Sequence, residues 1–309
     1  MTRRGLLLFL ALGIAWGIPY LFIKVAVGEL EPAMVVLGRS ALATVLLLPL
    51  ALFRREVRVV VKHWKPMLAY TIVEIVLPWY FLSSAEQKLP SSTAGLLLAA
   101  VPLAGVAVAF FMGRPSHLTG QNWFGILLGM LGVAALVGFD VGGSDLPSVL
   151  EMSVVVVGYA LGPAILSRWM PDLPGVGVVA VSLAAAAVIY VPVVLLTGSW
   201  PTAIPSAGVI GSIVVLAVVC SALAFLLMVG LIAEIGPVKA TTITYVNPAV
   251  AILAGVLVLG EKVTVWTIVG FGLVLCGSWL VTRRRRELVA TVGEPGSSVQ
   301  PARAPEGTD

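Results

Sequence analysis

Apolar residues run along this chain in ten blocks, 6–27, 32–53, 66–85, 90–112, 121–139, 147–167, 175–196, 205–233, 237–258 and 264–282, parted by short polar stretches. A block of about 20 apolar residues rises far enough as a helix to cross a ~30 Å hydrocarbon layer. The alternating segments of roughly ten residues that mark a membrane barrel are not seen. The pattern predicts an all-α integral membrane protein with ten transmembrane helices. The first block, "MTRRGLLLFLALGIAWG", has the charged head of a signal peptide. Its apolar run outlasts a ~15-residue signal core and meets no A-x-A-like site, so it reads as the first membrane helix.

Composition agrees with the pattern. Hydrophobic residues make up 59% of 309 and charged residues 11%, against about 25% charged in an ordinary soluble chain. The mean hydropathy is +1.06.

Charge then orients the helices, because cytoplasmic loops collect Lys and Arg. With the N terminus inside, fourteen cations fall on the cytoplasmic side: Arg3, Arg4, Arg54, Arg55, Arg58, Lys62, Lys65, Arg114, Arg168, Lys239 and Arg283 to Arg286. Only Lys88 and Lys262 fall outside. The expectation is a multi-pass protein of the plasma (inner) membrane with both termini cytoplasmic. The net charge of +4 reports this topology and gives no reason to expect a nucleic-acid partner. The loop "RREVRVVVKHWK", 54–65, is a positive-inside loop that could rest on anionic headgroups. The tail 283–309, rich in Pro, Gly, Ser and charge, is expected to be disordered.

The two halves resemble each other. Residues 81–135 and 225–279 match Pro102 with Pro248, Gly113 with Gly260, Gly125 with Gly270 and Gly132 with Gly277, at offsets of 145 to 147. Pro32 and Pro49 answer Pro174 and Pro192 at offsets of 142 and 143. Five helices per half is an odd number, so the second half is expected to sit inverted in the membrane. Inverted repeats place a site near the midplane and permit alternating access.

Three stretches carry a resemblance to a known family: "AWGIPYLFIKVAVGELEPAMVVLGR", "AEQKLPSSTAGLLLAAVP" and "VNPAVAILAGVLVLGEKVT". Over residues 5–283 the chain resembles the drug/metabolite transporter superfamily, in its EamA-like ten-helix branch. The resemblance implies two repeats, 1–139 and 147–282, followed by a basic, disordered tail 283–309. It implies export or import of small metabolites; the reading taken is a secondary active transporter of an amino acid or related compound, or a drug-like molecule, working by alternating access as an exporter coupled to a proton gradient. The alternative is a non-transporting membrane sensor or assembly protein on the same scaffold. Two departures from the family pattern stand out. Gly158-Tyr159 lies where the first half has Trp16-Gly17, and Arg114 lies where Glu261 stands in the second half.

No HExxH, GxSxG or P-loop lysine occurs, so no enzyme is expected. Cys220 and Cys276 read as helix-packing residues, and His63 and His117 lie apart in polar loops, so no metal and no cofactor is expected. The partners expected are a small-molecule substrate and the lipid bilayer, with a homodimer left open.

Charge inside a membrane helix costs about 2.5–3.5 kcal/mol on insertion scales and belongs in the protein interior or on water. Lys24, Arg39 and Glu74 are the three cases. Lys24, four residues before Gly28, is ~6 Å deep and within snorkelling reach of the outer surface. Arg39 is roughly 10 Å from the outer face and Glu74 roughly 13 Å from the inner one, which leaves an axial gap of ~7 Å. Glu74 is therefore either an ion-pair partner of Arg39 or a protonatable group on the transport path, and neither excludes the other. All three are candidates for proton coupling. Candidate substrate contacts lie on helical faces at i, i+4 spacing: Trp16 and Tyr20 with Lys24, Tyr70 with Glu74, and Thr241 and Tyr245 with neighbouring Asn247.

Overall fold

The structure is a computed structural model, and it describes residues 2–112, 120–136, 146–236 and 240–282. Eight helical runs are long and apolar enough to cross a membrane: α1 (Arg3–Ala26), α2 (Pro32–Phe53), α3 (Trp64–Lys88), α4 (Ser91–Phe111), α6 (Leu146–Trp169), α7 (Gly175–Thr197), α8 (Ala207–Ile235) and α9 (Thr242–Leu259). Two further apolar helices are α5 (Gly120–Ala135) and α10 (Val265–Thr282), and a six-residue helix, Glu56–Val61, lies between α2 and α3. The boundaries expected from the apolar blocks recur within a few residues. Arg114, His117, Lys239 and the tail 283–309 lie outside the described residues.

Hydrogen bonds fix which helix ends lie together. At one end, here the near end, Thr2 Oγ1 donates to Glu234 Oε1 (2.5 Å), Asn122 Nδ2 to the Val281 carbonyl (2.9 Å) and Arg168 Nη1 to the Met112 carbonyl (3.1 Å). At the far end, Ser84 Oγ donates to Glu151 Oε1 (2.8 Å) and the Ser206 amide to Glu29 Oε2 (2.7 Å). The Ser206 side chain and this amide bond together hold the Glu29 carboxyl below its ordinary value.

The principal packing pairs include α2 with α7, α5 with α10, α3 with α6, α1 with α8, α4 with α6, α1 with α9 and α4 with α9. Exchanging the first five helices for the last five maps this set onto itself. Small residues set the closest pair. A Cβ on Gly125 would lie 2.8 Å from the Gly277 carbonyl, and one on Gly132 would lie 2.7 Å from the Gly270 carbonyl. Helices approach this closely only where side chains are absent.

Proline breaks the ladders at mid-height. It lacks an N–H, and its ring crowds the carbonyl four residues earlier. Those carbonyls belong to Glu74 before Pro78, Leu98 before Pro102 and Thr244 before Pro248. Beside each break the helix changes pitch. Ile72–Val76 is a π-helical turn, while Leu98–Ala100 and Thr241–Tyr245 are 3₁₀. A second π turn, Val218–Leu223, starts 146 residues after the first. Ala224 stands there in place of a proline, and Ser221 Oγ instead donates to the Leu216 carbonyl five residues back (2.9 Å), in the register of the wider turn.

Candidate functional site

These breaks surround one cavity of about 280 Å³. α1 contributes Trp16, Pro19 and Tyr20, α2 contributes Arg39, and α3 contributes Glu74, Ile75, Trp79 and Leu82. α4 adds Leu98 and Val101, and α6 adds Tyr159 and Pro163. The rest comes from α8 (Cys220, Phe225, Met228) and from the start of α9 (Ile243, Thr244, Asn247, Pro248).

Much of this lining is paired between the halves. Glu74 and Cys220, Trp79 and Phe225, Leu82 and Met228, Leu98 and Thr244, and Val101 and Asn247 each lie 146 positions apart. Position is shared and polarity is not. The first half supplies the carboxylate where the second has a thiol. The second half supplies a hydroxyl and an amide where the first has Leu98 and Val101.

Arg39 is 7% exposed. Its Nε donates to Ser221 Oγ (2.9 Å), and its guanidinium lies 3.7 Å from the centre of the Trp79 ring. A desolvated cation over an indole face is held by about 2 kcal/mol. Arg39 forms no ion pair with Glu74, so the pairing contemplated from their depths is not made here. The guanidinium takes the aromatic face and the π-turn serine instead.

The Glu74 carboxyl packs against bare backbone at Gly162, where a Cβ would collide with Oε2. Among the described residues that buried oxygen has no hydrogen-bond partner, and neither does the buried Oδ1 of Asn247. Tyr190 Oη, from α7, donates to the Val76 carbonyl within the same π turn (2.7 Å).

Of the candidates, Trp16, Tyr20, Arg39, Glu74 and Asn247 meet in the cavity. Tyr70 does not. It is 6% exposed and packs with Val60, Met67, Ile165 and Met170. It lies four residues, ~6 Å, nearer the near end than Glu74, where that packing takes it up. Tyr245 is likewise turned away, its hydroxyl donating to the Ser278 carbonyl of α10 (3.2 Å). In a 3₁₀ turn, residues three apart superpose, so Thr244 and Asn247 share the cavity face and Tyr245 leaves it. The Thr241 side chain lies outside the described residues.

Lys24 keeps the face of Trp16 and Tyr20 but sits beyond the cavity. Its Nζ donates to the carbonyls of Glu86 (2.6 Å) and Leu89 (2.9 Å), closing the carbonyl end of α3 where a cation is favoured. It neither snorkels nor enters the cavity. Trp79, Tyr159, Phe225 and Thr244 were not foreseen. The 146-residue offset is the signal that links Trp79 to Phe225.

The comparisons with known proteins agree with this architecture. The sequence pattern of the EamA-like transporter family matches residues 3–138 and again 147–283. The chain is 28% identical over 278 residues to the "uncharacterized inner membrane transporter YedA" of Escherichia coli (strain K12), covering 88% of each. It is 24% identical to an "uncharacterized transporter" of Archaeoglobus fulgidus, covering 87% of this chain and 95% of that one. Identity to the "uncharacterized transporter YvbV" of Bacillus subtilis is also 24%, with 94% and 96% covered. A solved crystal structure shares the fold at a TM-score of 0.65 and 19% identity, covering 91% of this chain and 97% of its own.

Proposed function

The chain belongs to the EamA-like transporter family, and from that premise we propose that it is a secondary transporter whose substrate occupies the cavity between two inverted five-helix halves. Ten crossings with both termini in the cytoplasm make the near end cytoplasmic. The cation count of the loops and the direction of each helix between the two ends support this reading.

The observation that carries the function is the chemistry of the cavity wall. It is largely aromatic and aliphatic, and it holds one guanidinium and one carboxylate not paired with each other. Trp16, Tyr20, Trp79, Tyr159 and Phe225 offer ring faces. Charged groups with unused bonding capacity in a dry site are costly until a ligand meets them. A small zwitterion with an apolar body answers all three features, its carboxylate toward Arg39, its ammonium toward Glu74 and its body among the rings. An amino acid or a close relative has that form.

Glu74 is also the proton carrier in this reading. Its packing against Gly162, with no donor to Oε2 among the described residues, leaves the carboxyl free to hold a proton when the site is empty and to release it to a substrate ammonium. Exchange of proton for substrate across the two open states makes the protein an exporter driven by the proton gradient.

Flux in proteoliposomes tests the proposal. Apolar zwitterions are expected to move, faster under a pH gradient, while their decarboxylated and deaminated analogues move at least ~10-fold more slowly because a buried charge is left unmatched. Equal rates for the zwitterion and both analogues would remove the two-charge site. Absence of flux for every amino-acid-like compound would remove the substrate class.

A further inference from the structure

The far end of the bundle is held shut by charged groups placed on helix ends. The turn from Glu86 to Ser92 joins α3 to α4, and both of its flanks are capped. Lys24 covers the carbonyls of Glu86 and Leu89. Glu261, from the loop after α9 in the other half, accepts from the Ser91 amide through Oε1 (2.7 Å) and from the Ser92 amide through Oε2 (2.9 Å). Gly255 makes room for this contact, since a Cβ there would strike Glu261 Oε2. Burial would raise the Glu261 carboxyl, but the bonds from Ser92 and Ser91 outweigh it and hold the group below its ordinary value.

The packing of α4 changes sharply below this cap. Every residue from Ser91 to Ala99 is buried, and none from Val101 to Phe111 is. At Gly95 a Cβ would come within 2.5 Å of the Ala251 methyl and 3.3 Å of the Tyr20 ring, so α4, α9 and α1 meet directly above the cavity. The far roof is therefore tight, and it rests on a cap that crosses from one half to the other.

We propose that Glu261 is the latch of the far gate: its carboxylate leaves the Ser91 and Ser92 amides when the cavity opens to the far side, and its grip favours the state seen here. A second group is ready for the open state. Glu86 is fully buried and neither of its carboxylate oxygens has a hydrogen-bond partner among the described residues, while Lys24 holds the same residue's carbonyl. Parting of α4 from α9 would wet Glu86 and let Lys24 exchange a backbone carbonyl for that carboxylate. The open state thereby gains an ion pair as it loses the amide cap. The sequence-equivalent of Glu261 in the first half is Arg114, a cation, which cannot accept from an amide.

The proposal rests on the alternating-access reading, but its test needs no substrate. Val101→Cys on a Cys220→Ser, Cys276→Ser background reports entry to the cavity by a membrane-impermeant maleimide added to one face at a time. In the parent, labelling from the far face is expected to be slow. Glu261→Ala should raise that rate at least ~10-fold, the scale expected for loss of a charge-assisted bond, and lower the rate from the near face. Glu261→Gln, which keeps one acceptor oxygen, should fall between, and it decides the matter if the alanine variant does not fold. An unchanged far-face rate in a folded variant overturns the latch, whatever the flux assays find. Faster labelling from both faces equally also overturns it, because that is loosening without a shift between states.

Discussion

The two halves build the same wall and furnish it differently. Glu74 and Cys220 occupy corresponding π turns, a carboxyl in one half and a thiol in the other. Trp79 and Phe225 are both aromatic, and only Trp79 lies under a guanidinium. Where the first half is aliphatic, at Leu98 and Val101, the second has Thr244 and Asn247. The shared backbone shows what the fold requires: helices broken at mid-height by proline or by a π turn, so that cavity rather than packed core lies between them. The side-chain differences show what the site requires. A symmetric cavity would place like groups opposite each other, and two buried carboxylates or two buried cations repel. Both charges, Arg39 and Glu74, come from the first half, and the second adds only uncharged polar groups, so no like charges meet in one small space.

The comparison predicts unequal consequences for matched substitutions. The largest is expected at the carboxylate. Glu74→Gln keeps the shape but cannot titrate, and acceleration of flux by a pH gradient should fall by about 10-fold or more, while Cys220→Ala leaves that acceleration intact. Flux measured with and without the gradient in both variants decides it. Equal behaviour of the two would assign the proton elsewhere.

Next comes the support beneath Glu74. Gly162→Ala drives a methyl into the carboxylate and should destabilise the protein by ~1–3 kcal/mol, as overpacking does. Gly105→Ala, where nothing lies within 4 Å of the new methyl, serves as the control. Thermal unfolding in detergent measures both, and equal midpoints would mean that Glu74 has room to move.

The smallest effect is expected at the exposed clamp. Glu29 is held below its ordinary value of 4.5 by the Ser206 side chain and amide, so whatever it contributes is present above that pH. The contribution is lost as the pH falls through the lower, bound value. Solvent screens so exposed a bond, and Glu29→Gln should shift the unfolding midpoint far less than Gly162→Ala. A shift as large as that of Gly162→Ala would show that the far loops carry structural weight.

Much of the site was legible because charge and polarity stand out in an apolar run. Arg39 and Glu74 betray themselves by cost, and Trp16 with Tyr20 by a face that survives the break at Pro19. Tyr70 and Tyr245 lie off the cavity wall for different reasons: Tyr70 is a turn nearer the near end than Glu74, and Tyr245 is turned toward α10 where the helix tightens at Thr241–Tyr245. Lys24 differs again. Its face was right, but its depth set it against the end of α3, which only the packing of α1 on that turn reveals.

By itself, then, the order of residues determined the solvent, the helices, the repeat and the two charges that had to be kept from lipid, because each of these follows from local hydropathy and from spacing along one chain. Which groups meet was decided by tertiary structure. Arg39 stacks on Trp79 and bonds Ser221 rather than pairing with Glu74, Glu74 packs on Gly162, and Glu261 caps a helix 170 residues before it. Those choices depend on the distances and angles between helices, which are set by small residues and proline breaks acting together across both halves, and no single stretch of sequence contains them.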